Sequence, residues 1–554
     1  MRKLLVVITS LLAAIDADLL VTTHNGQIQG KSLKIKSGKE IRAFLGVRYA
    51  KPPIGELRFM PPQQLGKWIG IQYPNGNHPI CTQLDLYTPG STIQGEEDCL
   101  FLNIYTPKVS SKLLPVMVYI HGGGFLSGSG SSTFYGPDSL MNEDVVLVAI
   151  NYRLGALGFL STGDEVVPGN NGLKDQNVAL RWVQEHIKYF GGDPTQITIF
   201  GESAGGASVH FHVISSLSKG LFHAAISQSG TSVSPWSYML PKEAYDFGRK
   251  LATILDCPTE CSKAMIKCLQ SFDAKRFPEV QDQFLFWDID PLALFTPVIE
   301  IKHEGSFISE YPEDIIRDGK SNQVPWMTGV TKDEGAFRTT GLSAKRLFDK
   351  YYKDFDRIAP FSLFYGGRVS SEKEYTKKIR EYYFGKGFSE TQTKNLYTDR
   401  FFFEGAEKAI NLHRKYSKAP LYYYLFAYRG AKSMSAVFGD KINDHGVCHA
   451  DDLLYLFPLE DTFFNGEKQT VDDKAMTKML SKLWTNFAIH KQPTLKDSNW
   501  SHTHWKPVQT EENEYFYIGG PKEFRMDKQL YNDRFKFWKD MEVYLKTHNQ
   551  RDEL

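Results

Sequence analysis

Short, almost unbroken apolar runs recur along the chain, and between them apolar positions return with helical spacing. Pro115-Val116-Met117-Val118-Tyr119-Ile120 shows no polar alternation, which predicts a strand covered on both faces. Gln196-Ile197-Thr198-Ile199-Phe200 predicts a second short buried strand, and Val324-Pro325-Trp326-Met327-Thr328 ends a third. Gly206-Ala207-Ser208-Val209-His210 can open a helix soon after the second. Strands alternating with helices from end to end predict an α/β architecture with one large, mostly parallel sheet flanked by helices. By length alone, 554 residues would divide into about three or four domains. No Pro/Ser-rich tract, charge run, low-complexity block or internal repeat offers a boundary. Residues 18–550 are therefore expected to form a single unit with a large core.

Charge narrows the partners. Lys and Arg number 65 against 64 Asp and Glu, and no basic cluster stands out, which argues against nucleic acid. The termini suggest a compartment. Met1-Arg2-Lys3 followed by the apolar run Leu4 to Ala14 reads as a secretory signal peptide over residues 1–17, with cleavage near Ala17. That run is too short to span a bilayer, which takes about 20 residues. No other segment is long and apolar enough to do so. Residues 551–554, Arg551-Asp552-Glu553-Leu554, nearly match the endoplasmic-reticulum retention signal and imply a retention receptor as partner. Arg in the first position keeps the charge but not the shape. Six cysteines suit an oxidising lumen: Cys81, Cys99, Cys257, Cys261, Cys268 and Cys448. Spacing alone leaves their connectivity open. Zinc is disfavoured, because there is no C-x-x-C pair and no histidine at ligand spacing. Asn499-Trp500-Ser501 is a glycosylation sequon.

The candidate chemistry starts at Gly201-Glu202-Ser203-Ala204-Gly205, directly after the second predicted strand. A serine between glycines on a strand-to-helix turn is the nucleophile elbow of the α/β-hydrolase fold. Side chains at the two glycines would clash with neighbouring backbone. Upstream, His121-Gly122-Gly123-Gly124 follows the first predicted strand and has the form of an oxyanion loop. Either motif alone is compatible with an ordinary glycine-rich turn; both in this order point to acyl transfer.

These motifs sit among others that together resemble the type-B carboxylesterase/cholinesterase family, over roughly Val21 to Lys546. Phe190-Gly191-Gly192-Asp193-Pro194 through Gly206 is similar to its serine signature, and Glu97-Asp98-Cys99-Leu100-Phe101-Leu102-Asn103-Ile104-Tyr105 to its second signature. Phe44 to Pro53, Asn151 to Gly155 and Gly172 to Gln176 resemble further family blocks. Within the family the chain looks most like the intestinal carboxylesterases, and its tail resembles that of the liver-type enzymes of the endoplasmic reticulum. The fold expects the order Ser, Asp/Glu, His. The chain offers 15 histidines and 64 acids, and adjacent Asp333 and Glu334, or nearby His445 and His449, compete on their residues alone. The resemblance implies Glu334 as the acid and His449 as the base. It also implies Cys81–Cys99 and Cys257–Cys268 as the disulfides, with Cys261 and Cys448 left as free thiols.

The function so implied is a serine carboxylesterase that takes a small-molecule ester and needs no metal or organic cofactor. Ser203 attacks the carbonyl, His449 moves the proton, Glu334 orients the imidazole, and the N–H groups of Gly123, Gly124 and Ala204 hold the oxyanion. Glu202 is expected either to stabilise charged His449 or to be structural, and His121 to shape the oxyanion loop. Trp236 resembles an acyl-pocket position, with a core tryptophan as the alternative. Other readings are a lipase-like or juvenile-hormone-type esterase, a cholinesterase, and an inactive adhesion-type relative. Glu202 weakly disfavours the hormone esterase, whose elbow usually carries Gln. Against the cholinesterase, this chain lacks that subfamily's choline-stacking Trp, since Tyr87 is the only aromatic between Thr82 and Asp98. Ser203 and the absence of a predicted span disfavour the adhesion protein.

Overall fold

The computed structural model describes residues 17–74, 76, 78–86, 92–108, 112–495, 503–547 and 550. The N-terminal leader up to residue 16, Tyr87, the sequon at Asn499 and the tail at Arg551 to Leu554 lie outside the described residues.

Among the described residues, eleven strands form one sheet. In chain order they are β1 (Lys31–Lys34), β2 (Glu40–Arg48), β3 (Phe101–Pro107), β4 (Leu114–Ile120), β5 (Val146–Ile150), β6 (Gly192–Glu202), β7 (Ala224–Gln228), β8 (Trp326–Thr331), β9 (Leu421–Phe426), β10 (Tyr515–Gly520) and β11 (Glu523–Asp527). Their spatial order is β11-β10-β9-β8-β7-β6-β4-β5-β3-β2-β1. All neighbours from β5 through β10 are parallel. Antiparallel strands complete both sides. This is the architecture the apolar runs predict.

The reason is visible in β4. Val116, Val118 and Ile120 join the core on one face, while Met117 and Tyr119 join the core on the other. A strand covered on both faces has no use for polar alternation. β9 does the same with Leu421, Tyr423 and Leu425 against Tyr422, Tyr424 and Phe426. Helices α1 (Asn171–His186) and α2 (Ala204–Ile214) supply apolar side chains to the first face. Helix α3 (Val471–His490) covers the second with Met476, Leu480, Leu483, Trp484 and Phe487. A reciprocal capping box between Thr470 and Asp473 starts α3.

Two boundaries differ from the sequence reading. β6 runs from Gly192 rather than Gln196, across an irregularity between Gly192 and Ile197, and continues through Glu202, which pairs with Gln228. Helix α2 starts at Ala204, not Gly206, because the chain turns within the single residue Ser203. Register matters most where β4 and β6 end: Ile120 stands opposite Gly201, so the loops leaving both strands emerge side by side. Parallel sheets place functional loops at such carboxyl ends.

Cys81 is bonded to Cys99 and Cys257 to Cys268, with Cα–Cα distances of 4.9 and 5.7 Å. Cys261 is an exposed free thiol and Cys448 a buried one.

Candidate active site

Ser203 occupies the turn between β6 and α2 at φ 59° and ψ −123°. A positive φ at a residue with a Cβ costs on the order of 1–3 kcal/mol and persists only where its surroundings impose it. The turn is tight because the end of β4 lies against it. A Cβ at Gly201 would come within 2.5 Å of the Ile120 carbonyl oxygen, and one at Gly205 would collide with the same atom. The Ser203 N–H is tied to Gln228 O at 2.8 Å. The side chain is half-buried and faces a cavity.

The oxyanion loop follows β4. Gly123 and Gly124 take φ values of 104° and 62°, which a side chain would oppose. Neither N–H donates to a protein acceptor among the described residues. Ala204, the first residue of α2, has no carbonyl one turn back to receive its N–H. Three donors from two adjacent loops are thus unspent beside Ser203. Gly122 is pressed so closely that a Cβ there would lie 2.6 Å from Glu202 O. His121 is fully buried, lies 2.8 Å from Gly122 O through Nδ1, and stacks on Tyr152 at 4.4 Å. Burial lowers it to about 4, so the neutral ring donates from Nδ1 and braces the loop.

Glu334 follows β8 and His449 lies in the long connection after β9. They meet with His449 lining the cavity and Glu334 buried behind it: His449 Nδ1 stands 2.6 Å from Glu334 Oε2, while Glu334 Oε1 accepts Thr331 N–H at 2.8 Å. On the other side, His449 Nε2 is 3.0 Å from Glu202 Oε1, close in charge although off hydrogen-bond geometry. Burial opposes the imidazolium, but Glu202 and Glu334 outweigh it and raise His449 to about 9. Burial, opposed by His449, raises Glu202 to about 8. Behind them Asp452, raised by burial to about 6, accepts from Gln228 Nε2 at 2.8 Å and Tyr424 OH at 3.2 Å. Glu202 and His449 therefore titrate as one coupled pair rather than as independent groups.

The competing candidates have other work. Asp333 pairs with Lys394 at 3.1 Å and accepts Val447 N–H at 3.0 Å, fastening the histidine loop to the end of β8. His445 lies between Asp440 (2.9 Å) and Glu390 (3.2 Å). Cys448 is buried, with its thiol raised well above the ordinary range by burial, which leaves it the apolar filler expected of it. Asp452 and the aromatic wall carry no motif of their own; a buried acid three residues after a histidine is their one sequence signal.

The cavity holds about 480 Å³ and includes Ser203, Glu202, His449 and Gly122 to Gly124 in its lining. Its walls are chiefly apolar, among them Leu285, Leu292, Phe337, Phe438 and Phe463. Trp236 lines it while remaining 5% exposed and donating from Nε1 to Phe401 O at 2.6 Å, so it is both a core and a wall residue. Outside the cavity, His24, Glu185 and His186 bring possible ligand atoms within 4.8 Å of one another. There the His186 ring stacks on both His24 and Trp182, with Nδ1 bonded to Trp182 O.

A mixed sheet of this order, with a serine on a strained turn and unspent donors beside it, defines an α/β-hydrolase. Residues 17–538 match the profile of the carboxylesterase family, and the chain belongs to it. It is 39% identical over 533 residues to a carboxylic ester hydrolase of Bombus ignitus, covering 94% of this chain and 93% of the relative. It is 36% identical over 551 residues to the juvenile hormone esterase of Tribolium castaneum, covering 94% and 93%. The crystal structure of juvenile hormone esterase from Manduca sexta, with OTFP covalently attached, superposes with a TM-score of 0.85 at 29% identity, covering 95% of this chain and all of that one. The chain is a serine carboxylesterase.

Proposed function

We propose that Ser203, His449 and Glu334 carry out the ester hydrolysis by two-step acyl transfer. The carrying observation is that Ser203 from the end of β6 and His449 from the connection after β9 line one apolar cavity, with Glu334 from the end of β8 buried behind His449 at 2.6 Å. Ser203 Oγ attacks the ester carbonyl as His449 Nε2 takes its proton. The N–H groups of Gly123, Gly124 and Ala204 receive the oxyanion, each worth about 2.7–4 kcal/mol in the transition state. His449 returns the proton to the departing alkoxide, and water repeats the sequence to free the acid. Glu334 keeps the proton-bearing nitrogen at Nδ1 and stabilises the charged ring. The test is hydrolysis of p-nitrophenyl esters from acetate to palmitate by wild type and by folded Ser203→Ala. Turnover lost in the variant is expected; turnover retained would refute the assignment.

The substrate is a neutral ester with substantial apolar groups, as the walls favour. A second reading, a juvenile-hormone-type esterase, draws on the two relatives of that name and on the size of the cavity; Glu202 in the elbow speaks against it. Competition between juvenile hormone and short aromatic esters separates the two. The proposed site of action is the secretory pathway, and within it the endoplasmic-reticulum lumen, through the Arg551 to Leu554 tail and its receptor. The two disulfides suit that setting. No helix of the described residues is long and apolar enough to cross a membrane. Secretion of the protein on deletion of the tail would support retention; unchanged distribution would refute it. Placement among the gut-type carboxylesterases and glycosylation at Asn499 belong to the same proposal and rest on sequence alone.

A further inference from the structure

Helices Glu390–Thr398 and Glu404–Tyr416 are joined by one π-helical turn, Asp399–Phe403. Such turns are rare and concentrate at functional sites. This one is held from several directions. Asp399 receives Arg534 Nε at 2.8 and 2.7 Å and the Tyr383 hydroxyl. Trp236 Nε1 takes the Phe401 carbonyl at 2.6 Å, and Gly335 N–H, next to Glu334, donates to Thr398 Oγ at 2.9 Å. The outcome is a division of three consecutive phenylalanines. Phe403 packs on Tyr531 at 5.3 Å, whereas Phe401 and Phe402 enter the cavity wall.

Phe402 does more than line it. Its ring stacks on the His449 imidazole, with centroids 4.3 Å apart and planes inclined by 28°. Phe337 leans on the same imidazole at 5.6 Å and 56°. Glu334 fixes Nδ1 at one end. An imidazole gripped at Nδ1 and covered on its face loses rotation out of its own plane. What remains is in-plane movement of Nε2, which stands 3.0 Å from Glu202 Oε1 in a cavity that Ser203 also lines.

We propose that Phe402 is a positioning residue for His449, and that the π-turn exists in this chain to lay its ring against the imidazole and confine Nε2 to movement within the ring's own plane. This rests on His449 being the base. Phe402 transfers neither proton nor acyl group; it acts by narrowing the orientations of the group that moves the proton. A base misplaced by about 1 Å loses on the order of a hundredfold in rate. The phenyl face also favours the ring when it is charged, an attraction of the cation–π kind.

The test is Phe402→Leu, with Phe402→Tyr and Phe402→Trp as conservative partners, each checked for folding by thermal melting. With p-nitrophenyl acetate, too small to fill the cavity, kcat is expected to fall about ten- to a hundredfold while KM stays within about twofold. Phosphylation by diethyl p-nitrophenyl phosphate should slow in parallel, and the acid limb of the pH profile should move to lower pH. At least one aromatic variant should restore most of kcat. A rise in KM with kcat kept, or equal losses in all three variants, would overturn the proposal and leave Phe402 a wall residue. Should the Leu variant not fold, Phe402→Met carries the same readouts. Wild type and Ser203→Ala run alongside: activity surviving in the latter would refute the triad itself, whereas an active wild type with an unaffected Phe402→Leu would refute only this inference.

Discussion

Replacing Glu202 by Gln removes a charge 3.0 Å from His449 Nε2 while keeping the side chain's shape and length. At an effective dielectric of about 20, two unit charges at that distance attract by roughly 5.5 kcal/mol, a ceiling equal to about 4 pKa units. Burial opposes the charged ring, and two carboxylates together leave it at about 9 against the ordinary 6.5. With Glu334 remaining at 2.6 Å, losing Glu202 should lower the imidazole by about 1–2 units, within the range expected of one neighbouring charge. The sign follows from the proton inventory. In wild type the Glu202–His449 pair retains a proton until the solution is alkaline, so the free base accumulates late. In the variant the base is free at lower pH, and the acid limb of kcat/KM moves down by the same 1–2 units. The plateau should fall as well, because the imidazolium formed in the transition state loses its partner; full expression of that shift is about 1.4–2.7 kcal/mol, or roughly ten- to a hundredfold. A pH-stat with a short alkyl ester measures both limb and plateau. An acid limb that stays in place or moves to higher pH would refute the electrostatic role assigned to Glu202 and reduce the contact to packing.

The paired candidates should separate cleanly. Glu334→Gln is expected to lower kcat by about 10⁴, as loss of the orienting acid does in comparable triads, while Asp333→Asn keeps kcat and lowers the melting temperature by loosening the Val447 tie. His449→Gln should abolish turnover and His445→Gln leave kcat within about twofold, measured on the same ester series; equal losses in both would refute the assignment of the base. His413 is fully buried beside His210 at 2.8 Å, and burial holds it down at about 4. Its folded value lies below the unfolded 6.5, so the unfolded chain binds the extra proton and stability is lost as pH falls from 6.5 toward 4, by about 3 kcal/mol in full. Urea unfolding of wild type and His413→Gln across that window should show the variant with the shallower acid loss; parallel curves would refute it.

What the sequence made legible follows the reach of each physical cause. A strand covered on both faces must be apolar throughout, so β4 was readable from Pro115 to Ile120 without any neighbour. The elbow was readable because close approach of Ile120 O admits only glycine at 201 and 205, and a steric exclusion leaves its mark on the residue it excludes. The acid and base were different. Asp333 and Glu334 share a charge, as His445 and His449 share a ring, and no local property separates the member with other partners from the one that joins the Glu334–His449 contact. Their assignment depends on which strand end each loop leaves and how far it folds back, and only resemblance to related chains carried that information. Phe402 and Asp452 lie further still from sequence reasoning. Nothing in Phe401-Phe402-Phe403 says that the helix will take a π-turn there, because the turn is imposed from outside by Arg534, Tyr383 and Trp236, whose contacts span 135, 16 and 165 residues. The same holds for the charge state of the site. Glu202 stands one residue from the proposed nucleophile, yet its effect on His449 depends on a buried contact between β6 and the connection after β9. Proximity in sequence identified the group, and only the fold decides which proton it governs.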